Sequence, residues 1–358
     1  MNFKKSTFTS INNLFILSVF LMTSFHLSAQ PTIKDVLNNS DAGRVDLSIP
    51  LRDEINSSVL PVTIINGVQK GPTFVVVAGI HGYEYPPILA VQRIMNKIDH
   101  NKLKGSLIFL PIANIPSFYG RSPFFNPLDK KNLNNVFPGK KDGTITEQIA
   151  YLITKEIISE CDVFVDIHGG DANEDLLPFV CYYDRADSRN QTKLAAKLCK
   201  ISGFENIVSY NYNITPSQPA IYAFKQATQD GKVALSIEAG KLGNVQNEAV
   251  DQIESAVFNM LYEMNMYQDE HKKNLQKVST KTFNQQSYLK STIQGILYSD
   301  LLSGDNVVQG EVVGSVTDVW GKKLQELTAP ASGIILYKIG TPPVNEGETI
   351  FCIGYNKE

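Results

Sequence analysis

The stretch FVVVAGIHGYEYPP, residues 74–87, joins a hydrophobic run to a proline pair that is typical of a first helical turn. Its valines predict a β-strand that is covered on both faces and ends before Gly79. His81 and Glu84 then follow, three residues apart. Ligand sites of open α/β sheets usually lie at the carboxyl ends of strands. Because a histidine and a glutamate at this spacing can bind one metal ion, this turn is the first candidate site.

Two further predicted strands also end in polar residues. The apolar segment 161–167 runs into His168, and the segment 232–237 runs into Glu238. Two histidines and one carboxylate are a common protein ligand set for catalytic zinc. Such a site also needs a carboxylate base that does not bind the metal, and Glu238 is the candidate. Asp166, two residues before His168, is a candidate partner for the second histidine if the strand continues that far.

The counts of histidine and cysteine bear on the kind of site. The chain has five histidines, and two of the four outside the N-terminal segment follow predicted strands beside glycine, which favours a metal site over structural histidines. An exported chain could pair its cysteines, but they lie far apart in apolar surroundings, so we expect buried free thiols. These cysteines are Cys161, Cys181, Cys199 and Cys352.

Residues 1–29 are predicted to be a signal peptide. Lys4 and Lys5 form a charged start, residues 14–25 are apolar, and residues 27–30 suit a cleavage site. The apolar run is short for a transmembrane helix, although a membrane anchor is the alternative. We therefore expect export to the periplasm or the medium, without stable membrane insertion after cleavage.

The remaining chain predicts an α/β domain followed by a small all-β domain. Strands and helices alternate over residues 30–268, which predicts a mixed sheet with helices on both faces. Residues 269–286 are polar and charged, as in a linker, and residues 287–358 contain short strands separated by glycines. The predicted helices begin at Pro86 and then span residues 144–160, 188–201, 218–225 and 248–267.

Composition excludes some classes of partner. The 358 residues are 43% hydrophobic and 19% charged, as expected of a globular chain with a large core. The formal net charge is -3 and no basic patch stands out, so we expect no nucleic-acid partner. A homo-oligomer is compatible with the sequence.

Three motifs resemble those of a known family. They are GIHGYE at residues 79–84, DIH at 166–168 and EAG at 238–240. In this order they resemble the succinylglutamate desuccinylase/aspartoacylase family, which shares the fold of the zinc carboxypeptidases. The match covers residues 73 to about 265, and the all-β tail resembles the C-terminal domain of that family.

The resemblance implies one zinc ion per chain, bound by His81, Glu84 and His168. It implies that Glu238 is the general base, which activates water on zinc and later protonates the leaving amine. Arg121 matches the arginine that steadies the oxyanion in the family, with a solvated loop arginine as the alternative.

One loop departs from the family pattern. The family loop usually ends D-L-N-R-x-F-P-G, whereas residues 132–139 read NLNNVFPG. Asn134 and Asn135 are the expected substrate-binding residues, but Asn135 replaces an arginine and so lacks its bidentate cationic fork. Asn132 replaces an acid, which bears on how a zinc-binding histidine is oriented. The substrate could lack a carboxylate, or a lysine could supply the charge; the candidates are Lys130, Lys131 and Lys241.

Three functions remain open at this point. The leading hypothesis is a zinc amidohydrolase that removes an acyl group from an amine or amino acid, with a small acylated molecule as substrate. The second is a zinc carboxypeptidase acting on peptides or cell-wall peptides, and Asn135 argues against the standard form of either. The third is a non-catalytic binding protein of the same fold, against which the presence of all three ligands and Glu238 counts.

Overall fold

The computed structural model describes residues 31–39, 41–268 and 278–357. The predicted signal peptide, residues 1–29, lies outside the described residues, as do residues 269–277 of the predicted linker. The chain from Pro31 onwards forms one compact unit. The predicted boundaries between the α/β domain, the linker and the all-β domain stay a prediction.

A mixed sheet of nine strands, counted over the described residues, forms the centre of the α/β region, in the order β1-β2-β4-β3-β5-β9-β7-β8-β10. The hairpin β1-β2 is antiparallel, whereas β4, β3, β5 and β9 are parallel neighbours. The strands are β1 Gly43–Arg52, β2 Ser57–Asn66, β3 Gln69–Ala78, β4 Lys104–Leu110, β5 Val163–His168, β6 Glu174–Leu176, β7 Phe179–Asp184, β8 Asn206–Asn211, β9 Val233–Glu238 and β10 Lys281–Phe283; β6 pairs outside this sheet.

Helices cover both faces of this sheet. Alternate residues of β3 belong to different cores: Val76 packs with the helices α2, α5 and α7, and Val75 packs with α1, α4 and α6. This confirms the expected fold class and explains why β3 is apolar at consecutive positions. The helices are α1 Ile33–Asn38, α2 Tyr85–Lys97, α3 Ile115–Tyr119, α4 Ile145–Leu152, α5 Arg189–Ile201, α6 Ala223–Gln229 and α7 Asn247–Glu263.

Local sequence explains where several helices begin. Pro86 and Pro87 lie in the first turn of α2, as predicted. Thr144 caps α4 in a capping box with Glu147. The predicted helix over residues 218–225 is wrong, because Ile221 has a left-handed backbone (φ 67°) and α6 begins only at Ala223.

The C-terminal region forms two antiparallel sheets, one with the order β11-β18-β16-β13 and one with the order β15-β14-β12-β17. Strand β6 of the α/β region pairs with β16, and β10, from the predicted linker, pairs with β8. The two regions therefore share backbone hydrogen bonds. The C-terminal strands are β11 Gln285–Lys290, β12 Gly295–Tyr298, β13 Asn306–Val307, β14 Val312–Thr317, β15 Lys323–Thr328, β16 Gly333–Ile339, β17 Pro343–Val344 and β18 Thr349–Tyr355.

Two further expectations can be compared with the structure. All four cysteines are buried and free, which confirms the prediction of free thiols. In the part of the chain that is described, no helix combines the length and the apolar character needed to span a bilayer.

The register of the central strands determines where the site lies. Ala78 of β3 is opposite Ile167 of β5, and His168 of β5 is opposite Glu238 of β9. Because these strands are parallel, their carboxyl ends meet at one edge of the sheet. The three predicted polar strand ends are therefore neighbours.

Gly82 tests how tightly this edge is packed. A Cβ at Gly82 would overlap the backbone carbonyl of Ser117, which belongs to α3. We expect Gly82→Ala to lower the free energy of unfolding by about 1–3 kcal/mol, as overpacking does, and to weaken metal binding as well. Denaturant unfolding and metal titration would measure the two effects.

Gly310→Ala is the control, because Gly310 has a positive φ of 86° with no neighbouring atom that would contact the new Cβ. It should cost about 1–2 kcal/mol for the left-handed backbone alone and leave metal binding unchanged. Unchanged metal binding by Gly82→Ala would contradict the packing argument.

Candidate active site

The turn after β3 is held by the loop that follows β4. Gly79 has a left-handed φ of 69°, which glycine adopts without a Cβ penalty. The amides of Ala113 and Asn114 donate hydrogen bonds of 2.9 Å to the carbonyls of Ala78 and Gly79. The turn thereby directs His81 inward, and its Nδ1 lies 2.6 Å from Glu84 Oε1.

The second histidine reaches the same carboxylate from the neighbouring strand. His168 is the last residue of β5, and its Nδ1 lies 3.0 Å from Glu84 Oε2. Glu84 is 3% exposed and His168 is 6% exposed. Ligand atoms of His81, Glu84 and His168 all lie within 4.8 Å of one another. The structure therefore brings the three predicted ligands together.

The second ring nitrogen of each histidine, Nε2, lies near a side-chain oxygen of a further residue. Asn132 Oδ1 lies 3.2 Å from His81 Nε2 and also accepts a hydrogen bond from the Asn134 amide, which fixes the amide orientation of Asn132. His81 Nε2 must then carry a proton and donate it. On the other side, Asp166 Oδ1 lies 3.2 Å from His168 Nε2. Such outer partners are typical of metal-binding histidines, because they leave Nδ1 free for the metal.

Burial and charge oppose one another in this cluster. Burial alone would raise the pKa of Glu84, but the two imidazoles hold it down at about 2. Burial lowers the pKa of each histidine, yet the carboxylates outweigh it: Glu84 raises the pKa of His81, and Asp166 with Glu84 raises that of His168 well above its usual value. Without metal, protons therefore balance the buried carboxylates. A divalent cation fits this donor set, since it would replace those protons.

Glu238 stands beside this cluster without joining it. It ends β9 in register with His168, and Ser236 Oγ donates a hydrogen bond of 3.2 Å to its Oε1. Burial raises the pKa of Glu238 to about 7, with the His168 charge opposing and the Glu84 charge adding to the shift. A bound cation would lower this pKa. Glu238 lies beside the cluster but outside its donor set, which suits a base that exchanges a proton with water at the site.

A cavity of about 530 Å³ opens over these groups. Part of its lining comes from the C-terminal half, from Asn284, Gln286 and Tyr288. Asn134 and Gln286 also line the cavity, and the Asn134 Oδ1 and Gln286 Nε2 atoms are buried without a hydrogen-bond partner among the described residues.

A family model described as the succinylglutamate desuccinylase/aspartoacylase catalytic domain matches residues 70–264, more than half of the chain. The chain belongs to this family. The resemblance read from the three sequence motifs is thereby confirmed.

Comparison with individual proteins gives sequence identities of 22–27%. The N-alpha-acetyl-L-2,4-diaminobutyric acid deacetylase of Halomonas elongata is 27% identical over 300 residues, which cover 82% of this chain and 85% of the relative. A succinylglutamate desuccinylase structure from a Silicibacter species has a TM-score of 0.78 at 24% identity and covers 90% of this chain and 97% of that chain. The product-bound structure of the Ectoine utilization protein EutE (DoeB) from Ruegeria pomeroyi also has a TM-score of 0.78, at 22% identity, covering 88% of this chain and 97% of that chain. At these identities the solved structures establish the shared fold.

Not every predicted site residue of this desuccinylase/aspartoacylase family member lies at the cavity. Asn134 lines it, whereas Asn135 and Arg121 are exposed and do not. Arg121 lies in a turn after α3, with a left-handed φ of 46°. Arg121 and Asn135 therefore lie outside the cavity lining, and their roles at the substrate stay predictions.

The three lysines that the sequence suggested as anion binders either form ion pairs with other residues or are exposed outside the cavity. Lys131 lies 3.0 Å from Glu147, and Lys241 lies 2.8 Å from Asp175. Lys130 is exposed outside the cavity. The expectation that one of them supplies charge inside the cavity is not supported.

Two charged cavity residues were missed by the sequence reasoning. Lys225 lies on α6 and Glu174 on β6, and both line the cavity. Burial raises the pKa of Glu174 well above its usual value, and the nearby Asp171 and Glu84 charges add to this. The available signals were a lone lysine inside the otherwise uncharged AFKQATQ segment and an acidic segment directly after His168.

Metal content should separate the ligands from the base. We expect His168→Ala to lose most bound zinc, because it removes one of three donors. Glu238→Gln should keep zinc, because Glu238 is not among the clustered donors. Elemental analysis of both variants beside the unaltered protein would measure this, and loss of zinc from Glu238→Gln alone would reverse the assignment.

Metal affinity should also depend on pH. The raised pKa values of His81 and His168 mean that protons compete for the site, so affinity should fall as the pH is lowered from about 7.5 to 5.5. Calorimetry in buffers of different ionisation enthalpy would count the protons released. A constant affinity with no proton release would contradict the protonated metal-free cluster.

Proposed function

We propose that this protein is a zinc-dependent hydrolase that removes an acyl group from an acylated amine or amino acid by cleaving the amide bond. The observation that carries the proposal is the His81, Glu84 and His168 cluster with Glu238 beside it at the edge of a polar cavity. Membership of the family and the likeness to a deacetylase of Halomonas elongata support the same reaction class.

The chemistry divides between the metal and the protein. Zinc held by His81, Glu84 and His168 would polarise the amide carbonyl and make water acidic enough to supply hydroxide near neutral pH. Glu238 then accepts the proton of the attacking water and later donates it to the leaving amine. Ser236 holds Glu238 in position through its hydroxyl.

The outer oxygens help to keep the donors in place. Asn132 accepts a hydrogen bond from His81 Nε2, and the Asp166 carboxylate lies 3.2 Å from His168 Nε2 as an ion-pair partner, so that Nδ1 of each ring faces Glu84. Positioning of this kind reduces the reorganisation that turnover would otherwise require.

The wall formed by segment 284–288 favours small substrates over polypeptides. Asn284, Gln286 and Tyr288 line the cavity together with the strand-end residues, so this segment occupies part of the space that an extended peptide would need. A short N-acyl compound needs no such exit. We further propose, from residues 1–29, that the protein is exported.

Substrate choice tests the proposal. We expect the zinc-loaded protein to release the acyl acid from N-acetyl and N-succinyl amino acids or amines and to leave unblocked peptides intact. Glu238→Gln should lower kcat by about 10²–10⁴-fold with little loss of zinc, as removal of a general base does. Amine release detected by chromatography would measure this.

Three other outcomes would each contradict part of this proposal. Release of C-terminal residues from unblocked peptides would favour a carboxypeptidase. Binding of an acylated compound by the zinc-loaded protein with no hydrolysis would favour a non-catalytic binding protein. Unaltered turnover by Glu238→Gln would remove Glu238 from the reaction.

A further inference from the structure

Exposed apolar side chains are concentrated in one part of the all-β region. Eighteen large hydrophobic residues of the described chain are exposed, and seven of them lie within residues 298–324. Single exposed apolar residues are normal, but a concentration of them marks an interaction surface. Five of the seven belong to the sheet β15-β14-β12-β17 or to its β14–β15 turn, namely Tyr298, Val312, Val319, Trp320 and Leu324.

The β14–β15 turn presents Trp320, the only tryptophan of the chain. Trp320 is 88% exposed, and Val319 before it is 76% exposed. Asp318 fixes the turn, because its Oδ1 accepts hydrogen bonds of 2.9 Å from the amides of Trp320 and Lys322. A fixed turn loses little conformational entropy on binding, and tryptophan is among the residue types most enriched at binding hot spots.

A groove of about 810 Å³ lies on the same sheet. Its apolar lining includes Tyr298, Leu301 and Val312, and Asp300 adds a carboxylate. Tyr298 and Val312 are both more than half exposed. The groove therefore offers apolar surface that a protruding turn could cover.

The turn and the groove carry opposite charges. Lys323 pairs with Glu326, and both line the groove. This pair leaves Lys322 as the cation of the turn and Asp300 as the anion of the groove, neither of which forms an ion pair among the described residues. Complementary charges of this kind set the orientation of a protein interface.

Strand β14 separates the two features. Val312, its first residue, lines the groove, and the turn follows Thr317, its last residue. A two-fold axis across β14 would therefore place the turn of each copy over the groove of the other. Such a contact uses the same surface on both copies, as the interfaces of most homodimers do.

Two other occupants of this face match it less well. Edge-to-edge pairing through β15 is impeded by a register shift between Lys323 and Gln325, because bulges protect sheet edges from pairing. An anionic lipid surface would be repelled by Asp300 and Glu326 on this face and by the formal net charge of -3.

We propose that the β14–β15 turn, with Trp320 at its tip, docks into the groove around Tyr298 and Asp300 of a second copy, so that the protein forms a two-fold symmetric dimer through its all-β region. The inference is independent of the proposed deacylase function, because neither surface contributes a residue to the active-site cavity.

Sedimentation velocity over a range of protein concentrations would measure the dimer, and the single tryptophan supplies a second readout. We expect Trp320 emission to move to shorter wavelengths as the dimer forms, because the indole leaves water. Trp320→Ser should raise the dimer dissociation constant about 30-fold or more, as loss of a hot-spot residue does. Ile55→Ser is the matched control, because Ile55 is also 88% exposed but lies at the β1–β2 turn, and it should leave the constant unchanged.

Charge reversal tests the orientation of the docked turn. Asp300→Lys and Lys322→Glu should each raise the dissociation constant by about 3–30-fold, because each places like charges together at both contacts of the symmetric dimer. The two substitutions combined in one chain should recover most of that loss, since the charges then attract again.

A protein that stays monomeric at every concentration, with the emission of a water-exposed indole, would overturn the inference. A dimer whose dissociation constant ignores Trp320→Ser would also overturn it, as would additive losses in the doubly reversed variant. An emission shift that requires vesicles of anionic lipid and occurs without dimer formation would assign the turn to a lipid surface instead.

Discussion

The site depends on one carboxylate that two histidines share. Glu84 is almost fully buried, and its two oxygens face His81 Nδ1 and His168 Nδ1 at 2.6 Å and 3.0 Å. A buried carboxylate is tolerable only when cations or donors balance it, so both rings must face inward. That requirement makes the turn after β3, the end of β5 and the outer oxygens of Asn132 and Asp166 parts of one arrangement.

The parallel register of the sheet is what makes this arrangement possible. Strands β3, β5 and β9 are adjacent and parallel, so residues that are about 70 or more positions apart in sequence arrive at one edge. Glu238, the proposed base, lies at the same edge, and burial beside the cluster raises its pKa to about 7 when no metal is bound. A base in solvent at this position would be ionised at neutral pH and would hold a proton less readily.

Sequence predicted the parts of the site that follow strands and missed the parts that depend on tertiary packing. His81, Glu84, His168 and Glu238 could be found because each follows an apolar run, and that pattern is local. Lys225 could not be recognised, because its environment comes from Tyr183 on β7 and from the fold of α6. Arg121 and Asn135 were selected by motif position alone, and position in a loop does not determine the direction of a side chain. The helix predicted over residues 218–225 failed for a similar reason, since nothing local indicates that Ile221 adopts a left-handed backbone.

The C-terminal strands have a role that their sequence did not indicate. Strand β6 leaves the α/β region directly after His168 and pairs with β16, while β10 and β11 follow one another past the cavity. Glu174 on β6 and Gln286 on β11 therefore line the same cavity although they belong to different sheets. Since β6 is held by backbone hydrogen bonds to the C-terminal region, the shape of the cavity depends on that region being folded. The all-β region is thus part of the candidate site, because without it the cavity would lose the lining that Gln286 and Tyr288 contribute.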